Sequence, residues 1–373
     1  MDLPTVSGRG HLAEVVPSVL ATLGVPGYAN TLALPEAAGA CVLLIDGLGA
    51  ELLRTHAAHA PVLAELTRAT LTVGCPSTTV AGLAAIGTGL APGEHGMAGY
   101  TFEVPGCGVL NALRWRRHPG GGELDLVPEE VQPLPTTFER AVAAGVGAVV
   151  VAEAKFAKSP LTRAVQRGGD YRGVYAMGDL AAETLRALRE PAGFCYAYHG
   201  QLDELGHRYG PGSPAWLMQL RQVDRLVESL VDGLPPGRVL AVVADHGMVA
   251  LDDVVDLDRT PALSAGVREL GGDPRIRHVY ARPGAAEDVL AAWRETLGSR
   301  AWVVSRAEAI AAGWFGPRVS DRVRPRFGDV IAAARDQFGM VRRTAEPLES
   351  ALIGQHGSLT PAEQLVPLAI ARA

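Results

Sequence analysis

The decisive stretch is VLAVVADHG, residues 239–247, in which six apolar residues run without a break into Asp245, His246 and a glycine. An apolar run of that length suits a strand buried on both faces, the kind that parallel sheets contain. Asp and His side by side at the end of such a strand are two ionisable groups in apolar surroundings, and they need compensation. A bound cation is an economical one.

Three similar runs lie elsewhere: CVLLI (41–45), AVVVAEA (148–154) and FCYAY (194–198). The first leads directly to Asp46-Gly-Leu-Gly, and the third leads, after a short loop, to Asp203 and His207. Between FCYAY and VLAVVA, Ser213-Pro214 reads as a helix N-cap followed by proline at the first helical position. Leu217, Leu220, Val223, Val227 and Leu230 then mark one apolar face at helical spacing. Strands alternating with helices predict an α/β fold with a mostly parallel sheet flanked by helices. Ligand sites of such sheets lie beyond the carboxyl ends of the strands. Three strands that deliver carboxylates and imidazoles to one rim therefore form a site-building pattern.

The segment 254–349 differs, being rich in Arg and Pro, with HVYAR, a helix through 285–297, AWVVS and a second helix. It predicts a small α+β cap inserted into a core made of residues 1–253 and 350–373. At 373 residues the chain can bury a large core, and 48% hydrophobic with 20% charged residues is ordinary globular composition. The net charge of −6 and the lack of a basic run argue against a duplex nucleic-acid partner. The first residues do not read as a signal peptide, and the apolar window 141–154 is too short to span a bilayer. Cys41, Cys75, Cys107 and Cys195 show no paired spacing. Cys41 and Cys195 read as buried thiols, and a cytoplasmic location is expected.

Single motifs have ordinary explanations. An Asp after a strand commonly forms a turn. Asp203 and His207, four apart, would share a helical face as metal ligands do, or equally as a surface ion pair. His356 stands in a glycine-flanked loop, GQHGS. Taken together, Asp46, Asp203, Asp245, His207, His246 and His356 make three carboxylates and three imidazoles with no thiolate, an inventory suited to two Zn²⁺ or Mn²⁺ ions. In CPSTT (75–79) a hydroxyl stands at the mouth of an apolar helix, where amides favour negative charge. Ser77, Thr78 and Thr79 are each credible helix caps. A threonine becomes a nucleophile only with a base or metal beside it, and the ligand inventory supplies that condition.

In chain order, Asp46, PSTT ending in Thr79, TGLAPGEHG (88–96), Asp203-x-x-Gly-His207, Asp245-His246-Gly and His356-Gly-Ser resemble the nucleotide pyrophosphatase/phosphodiesterase branch of the alkaline phosphatase superfamily. The resemblance implies an alkaline phosphatase-like core with one ion on Asp203, His207 and His356. It implies a second ion on Asp46, Asp245 and His246, with Thr79 as a nucleophile bridging toward it through a phospho-threonine intermediate. The Cys/Ser-x-Pro-x-Arg signature of sulfatases is missing. The branch usually carries an Asn after the HG motif that donates to a phosphoryl oxygen. Here Tyr100 holds that position and Asn111 follows in LNALRW, so either is a candidate for the contact.

Within the branch, GYTF followed by LNALRW, then KFAKSPLT, the short cap and HGSLTPAEQLVPL are similar to the actinobacterial cyclic di-AMP phosphodiesterases. That similarity implies a small nucleotide substrate, cyclic di-AMP hydrolysed to the linear dinucleotide and AMP. Phosphonoacetate hydrolases share the architecture and are the alternative activity. A metal-free nucleotide-binding protein is the alternative of a different class, and the unbroken ligand set argues against it.

Overall fold

The computed structural model describes residue 4, residues 10–190 and residues 193–373. In chain order its principal strands are β1 (Gly39–Ile45), β2 (Thr67–Thr72), β3 (Gly147–Glu153), β4 (Asp170–Val174), β5 (Gly193–His199) and β6 (Arg238–Val243). They continue as β7 (Val267–Asp273), β8 (Ile276–Ala281), β9 (Ala301–Ser305), β10 (Val330–Ala334) and β11 (Leu365–Arg372). One sheet has seven strands in the order β2-β11-β6-β1-β5-β3-β4. β6, β1, β5, β3 and β4 are mutually parallel, and β11 pairs antiparallel with both β2 and β6. All four apolar runs read as strands lie in the parallel part. β1 is buried along its whole length because helices cover both faces of the sheet, which is why it shows no polar alternation. Cys41 and Cys195 sit opposite each other in adjacent strands as buried free thiols.

Three helices carry or back the site, α1 (Thr79–Thr88), α2 (Gln201–Tyr209) and α3 (Pro214–Asp232), and a fourth, α4 (Ala286–Leu297), packs on the smaller sheet. The start of α3 follows its sequence signals, with Ser213 Oγ accepting from the Trp216 N–H at 3.3 Å and Pro214 opening the helix. Leu220, Val223, Val227 and Leu230 are buried as the spacing predicts, and Leu217 packs half-buried at the edge of the same core. Each fully buried leucine or valine contributes about 1.5–3 kcal/mol, so this face alone anchors the helix.

The smaller sheet is antiparallel, in the order β7-β8-β10-β9. Adjacent residues on a strand point to opposite faces, and here both faces are covered. Val303 and Val330 pack with Trp293 and Leu297 of α4, while Val304 and Ile331 join the principal core beside Trp314 and Phe327. The second helix read in this segment is a short turn of helix, Arg306–Ala311. Asp253–Asp256 pairs in parallel with Phe338–Val341, which brings the two ends of segment 254–349 together. Two wholly buried ion pairs fasten the smaller sheet to its neighbours: Arg275 to Glu363 at 2.7 Å and Arg277 to Glu346 at 2.8 Å. Among the described residues no helix is long and apolar enough to cross a membrane.

Candidate metal and nucleophile site

Strand order builds the site. β6, β1 and β5 are immediate neighbours, so the residues that follow them emerge side by side at one edge of the sheet. Asp46 follows β1, Asp245 and His246 follow β6, and α2 begins two residues after β5. One helical turn separates Asp203 from His207, and the His207 Nε2 lies 3.2 Å from Asp203 Oδ2. His356 arrives from the far end of the chain, with its Nε2 3.2 Å from that of His207 and its ring stacked on His246 at 3.5 Å.

The three hydroxyls of CPSTT take separate roles. Ser77 Oγ donates to the Ser358 carbonyl at 2.7 Å, and Thr78 caps α1 by accepting from the Ala81 N–H at 3.4 Å. Thr79 is left over, and its Oγ1 lies 3.1 Å from His246 Nε2. Helix α1 approaches this closely because residue 82 is glycine. A Cβ there would lie 2.4 Å from the Asp245 Cβ.

The imidazoles are oriented alike. Each Nδ1–H donates to a backbone carbonyl: His207 to Gly354 at 2.7 Å, His246 to Gly247 at 2.9 Å and His356 to Ser77 at 2.9 Å. That hydrogen bond selects the tautomer whose Nε2 carries a lone pair, as metal-ligating histidines require. Two Nε2 lone pairs 3.2 Å apart repel unless a cation or proton lies between them. Among the carboxylates, Asp46 Oδ1, Asp203 Oδ1 and Asp245 Oδ2 are buried without a hydrogen-bond partner. Burial and the neighbouring Asp46 push the Asp245 carboxyl well above the usual range. Burial opposes charge on His246, yet Asp245 and Asp46 outweigh it and raise its pKa to about 10. Burial and His246 hold His356 well below the ordinary value. The Asp245 and His246 shifts reflect two carboxylates held close together in a buried place, an arrangement that a cation relieves.

The residues present fit two divalent ions. Ligand atoms of Asp203, His207 and His356 lie within 4.8 Å of one another, as do those of Asp46, Asp203 and His246. Asp245 stands behind the second group, its Oδ1 accepting from Gly47 N–H at 3.2 Å and His246 N–H at 3.1 Å. Sequence reasoning missed Tyr198, whose hydroxyl donates to Asp46 Oδ2 at 2.5 Å. The available signal was Tyr196 and Tyr198 at alternate positions of an otherwise apolar strand.

A cavity of about 490 Å³ opens on Thr79, Asp203, His207 and His356. Tyr100 lines it, with its hydroxyl donating to Glu349 Oε1 at 2.7 Å. Asn111 does not line it. That side chain is buried in the turn behind, where Oδ1 accepts from the N–H groups of Leu113 and Arg114 at 3.1 and 3.0 Å. Arg114, Asp273 and Glu349 complete the wall; Arg114 belongs to LNALRW without being singled out by it, and Asp273 and Glu349 carry no readable motif. A second cavity of about 230 Å³, which Asp46 also lines, shares Thr79, Leu113 and Asp203 with the first, so open space lies on two sides of Thr79. Lys155 faces solvent, paired with Glu153 at 2.6 Å.

The geometry, a hydroxyl set among buried carboxylates and imidazoles at the strand ends of an α/β sheet, suits metal-assisted phosphoryl transfer. Residues 40–359 match the type I phosphodiesterase / nucleotide pyrophosphatase family, and the chain belongs to that family. Among curated relatives, a phosphopentomutase of Anaeromyxobacter dehalogenans is 31% identical over 159 residues, which span 41% of this chain and 38% of the relative. The fold is shared with an inactive variant of murine ectonucleotide pyrophosphatase/phosphodiesterase 5 in complex with AMP, at a TM-score of 0.68 and 17% identity, covering 88% of this chain and 87% of the other. A phosphonoacetate hydrolase of Sinorhizobium meliloti in complex with phosphonoacetate has a TM-score of 0.66 at 21% identity, covering 91% of each chain.

Proposed function

We propose that this chain hydrolyses nucleotide phosphodiesters in the cytoplasm, cyclic di-AMP first among them, by covalent catalysis through Thr79. The observation that carries this reading is the position of Thr79 Oγ1, beside buried, partnerless acceptor atoms and at the junction of two cavities. A diester carries an organic group on each side of phosphorus, and the two cavities supply room for both. Phosphonoacetate would need only one.

Asp203, His207 and His356 would hold one divalent ion and Asp46, Asp245 and His246 the other, Zn²⁺ or Mn²⁺. Such ions supply positive charge that lowers the pKa of a hydroxyl or water and stabilises phosphoryl oxygens. Thr79 Oγ1 attacks phosphorus, an O–P bond forms, and the leaving oxygen departs with the electron pair of the broken ester bond. Water then cleaves the phospho-threonine and returns the threonine hydroxyl. The N-terminal amides of α1 favour negative charge at this position. Tyr100 stands on the cavity wall at the position where the family carries its phosphoryl-contacting Asn, and its hydroxyl would donate to a phosphoryl oxygen only on leaving Glu349 Oε1. Segment 254–349 acts as an inserted cap on the core of residues 1–253 and 350–373, contributing Asp273 and Glu349 to the substrate wall.

The test is chromatographic. Metal-loaded protein is incubated with cyclic di-AMP, cyclic di-GMP, the linear dinucleotide, a dinucleoside polyphosphate and phosphonoacetate. Fastest turnover of cyclic di-AMP is expected. Cleavage of phosphonoacetate alone would replace this reading with C–P hydrolysis, and cleavage of none would favour a binding protein.

A further inference from the structure

Beside the larger cavity lies a cleft of about 140 Å³ that holds none of the metal and nucleophile residues. Arg114, Arg116, Arg117, Gly120 and Gly121 line one side, and Glu349 lines the other. Arg114 and Glu349 line the larger cavity as well, so the two spaces adjoin. Three arginines within four residues stand out in a chain whose net charge is −6. Such a cluster is too short to track a duplex, and it is enough for one phosphate group.

The neighbouring carboxylates leave this charge largely uncompensated. Glu346 is claimed by Arg277 and Arg342 at 2.8 and 3.1 Å. Glu349 accepts from the Tyr100 hydroxyl at 2.7 Å. Arg116 reaches the exposed Glu123 only at 3.8 Å, and Arg117 Nη2 donates to the Cys107 carbonyl at 2.8 Å. Among the described residues Arg114 makes no ion pair, although it stands where the two spaces meet. Its backbone is firmly held. The Arg114 N–H donates to Asn111 Oδ1 at 3.0 Å, and the next residue, Trp115, has a φ of 55°. Bulky side chains avoid that region, and here the buried indole, whose Nε1 donates to the Leu126 carbonyl at 2.8 Å, enforces it. Backbone strain imposed by surrounding contacts is found where a side chain must be placed for function.

We propose that this cleft binds a second phosphate of the substrate, distinct from the one that reacts at Thr79, and that Arg114 selects for it. The proposal rests on the diesterase reading. A guanidinium presents paired donors that match two phosphate oxygens, and Arg116 and Arg117 add positive potential. Glu349 opposes an anion there, but three guanidinium groups outnumber it. A diester with a second phosphate, a cyclic dinucleotide included, would be held at both ends of the larger cavity. A diester with one phosphate would be held at Thr79 alone.

The experiment compares wild type, Arg114→Gln and Arg114→Lys on three substrates. They are an adenine dinucleotide diester with a terminal 5′-phosphate, the same dinucleotide without it, and bis(p-nitrophenyl) phosphate. Wild type should favour the phosphorylated dinucleotide in kcat/KM by roughly tenfold or more, and Arg114→Gln should bring that ratio toward one. Arg114→Lys should keep part of the preference, because the charge stays and the fork is lost. The preference should also shrink as ionic strength rises. A wild-type ratio near one would overturn the proposal, as would a ratio that Arg114→Gln leaves at the wild-type value. An equal fall on all three substrates would mean that Arg114 only supports its turn, and it too would overturn the proposal. Titration calorimetry of metal-loaded protein with the two dinucleotides reads the cleft without turnover. Tighter binding of the phosphorylated one, lost in Arg114→Gln, is expected, and equal affinities in wild type would refute the subsite. That binding preference without turnover of any diester would sink the diesterase reading and leave the anion subsite standing.

Discussion

Gly82→Ala is the smallest change that should damage this site without replacing a ligand or the nucleophile. Gly82 lies on the second turn of α1 with its Cα against the strand end bearing Asp245. An added Cβ would stand 2.4 Å from the Asp245 Cβ and 3.0 Å from its Cα, whereas real Cβ contacts essentially never fall under 3.0 Å. Neither neighbour is a flexible side-chain end, so α1 or the Asp245 backbone must move by several tenths of an ångström. Thr79 sits on the preceding turn of that helix, and the motion changes its distance to His246. Two stability effects oppose each other. Overpacking a close contact costs about 1–3 kcal/mol. Alanine in place of glycine within a helix gains about 1 kcal/mol. The net loss is therefore about 0–2 kcal/mol, and the protein stays folded. Activity should suffer far more, because displacements near 1 Å at a reacting centre cost on the order of 10²-fold. The assay is kcat/KM on bis(p-nitrophenyl) phosphate, with metal content by elemental analysis and a urea melt. Gly178→Ala, where an added Cβ meets nothing within 4 Å, is the control and should behave as wild type. Gly82→Ala activity within twofold of that control would refute the argument that α1 is seated on Asp245 through this glycine.

Thr79→Ala is expected to cut turnover by about 10³-fold or more while both ions stay bound, and turnover within tenfold of wild type would exclude the covalent route. Asp245→Asn and His207→Ala should lower metal content along with activity, so full occupancy by elemental analysis would refute the ligand assignment. EDTA should inactivate the protein, Mn²⁺ or Zn²⁺ should restore it, and Mg²⁺ should do so poorly because it prefers an octahedral oxygen shell over imidazole. Glu363→Ala strands the wholly buried Arg275, which should cost about 3–5 kcal/mol in chemical denaturation; a loss below about 1 kcal/mol would contradict the view that this pair clamps the smaller sheet to the core.

Much of this was legible along the chain. The four buried strands, the helix after Ser213 and the carboxylates at the strand ends are each encoded in consecutive residues, and local pattern is what a single sequence displays. The α/β fold and the order of Asp46, Thr79, Asp203, His207, Asp245, His246 and His356 followed from that reading and from the family motifs. Local pattern did not separate the three adjacent hydroxyls; the family motif pointed to Thr79, and in the structure Ser77 and Thr78 are engaged with Ser358 and Ala81. Tyr100 and Asn111 are equivalent in the sequence, and the structure distinguishes them by position: Tyr100 lines the larger cavity, while Asn111 is buried in the turn behind it. Tyr198 and Gly82 carry no motif. Their meaning lies in what stands opposite them: Asp46 on the neighbouring strand, and a strand end packed under a helix. Periodicity and spacing record how a residue relates to its chain neighbours. Which distant side chains meet, and which polar group is left without a partner, is decided only when the three neighbouring strands β6, β1 and β5 bring their loops to one edge.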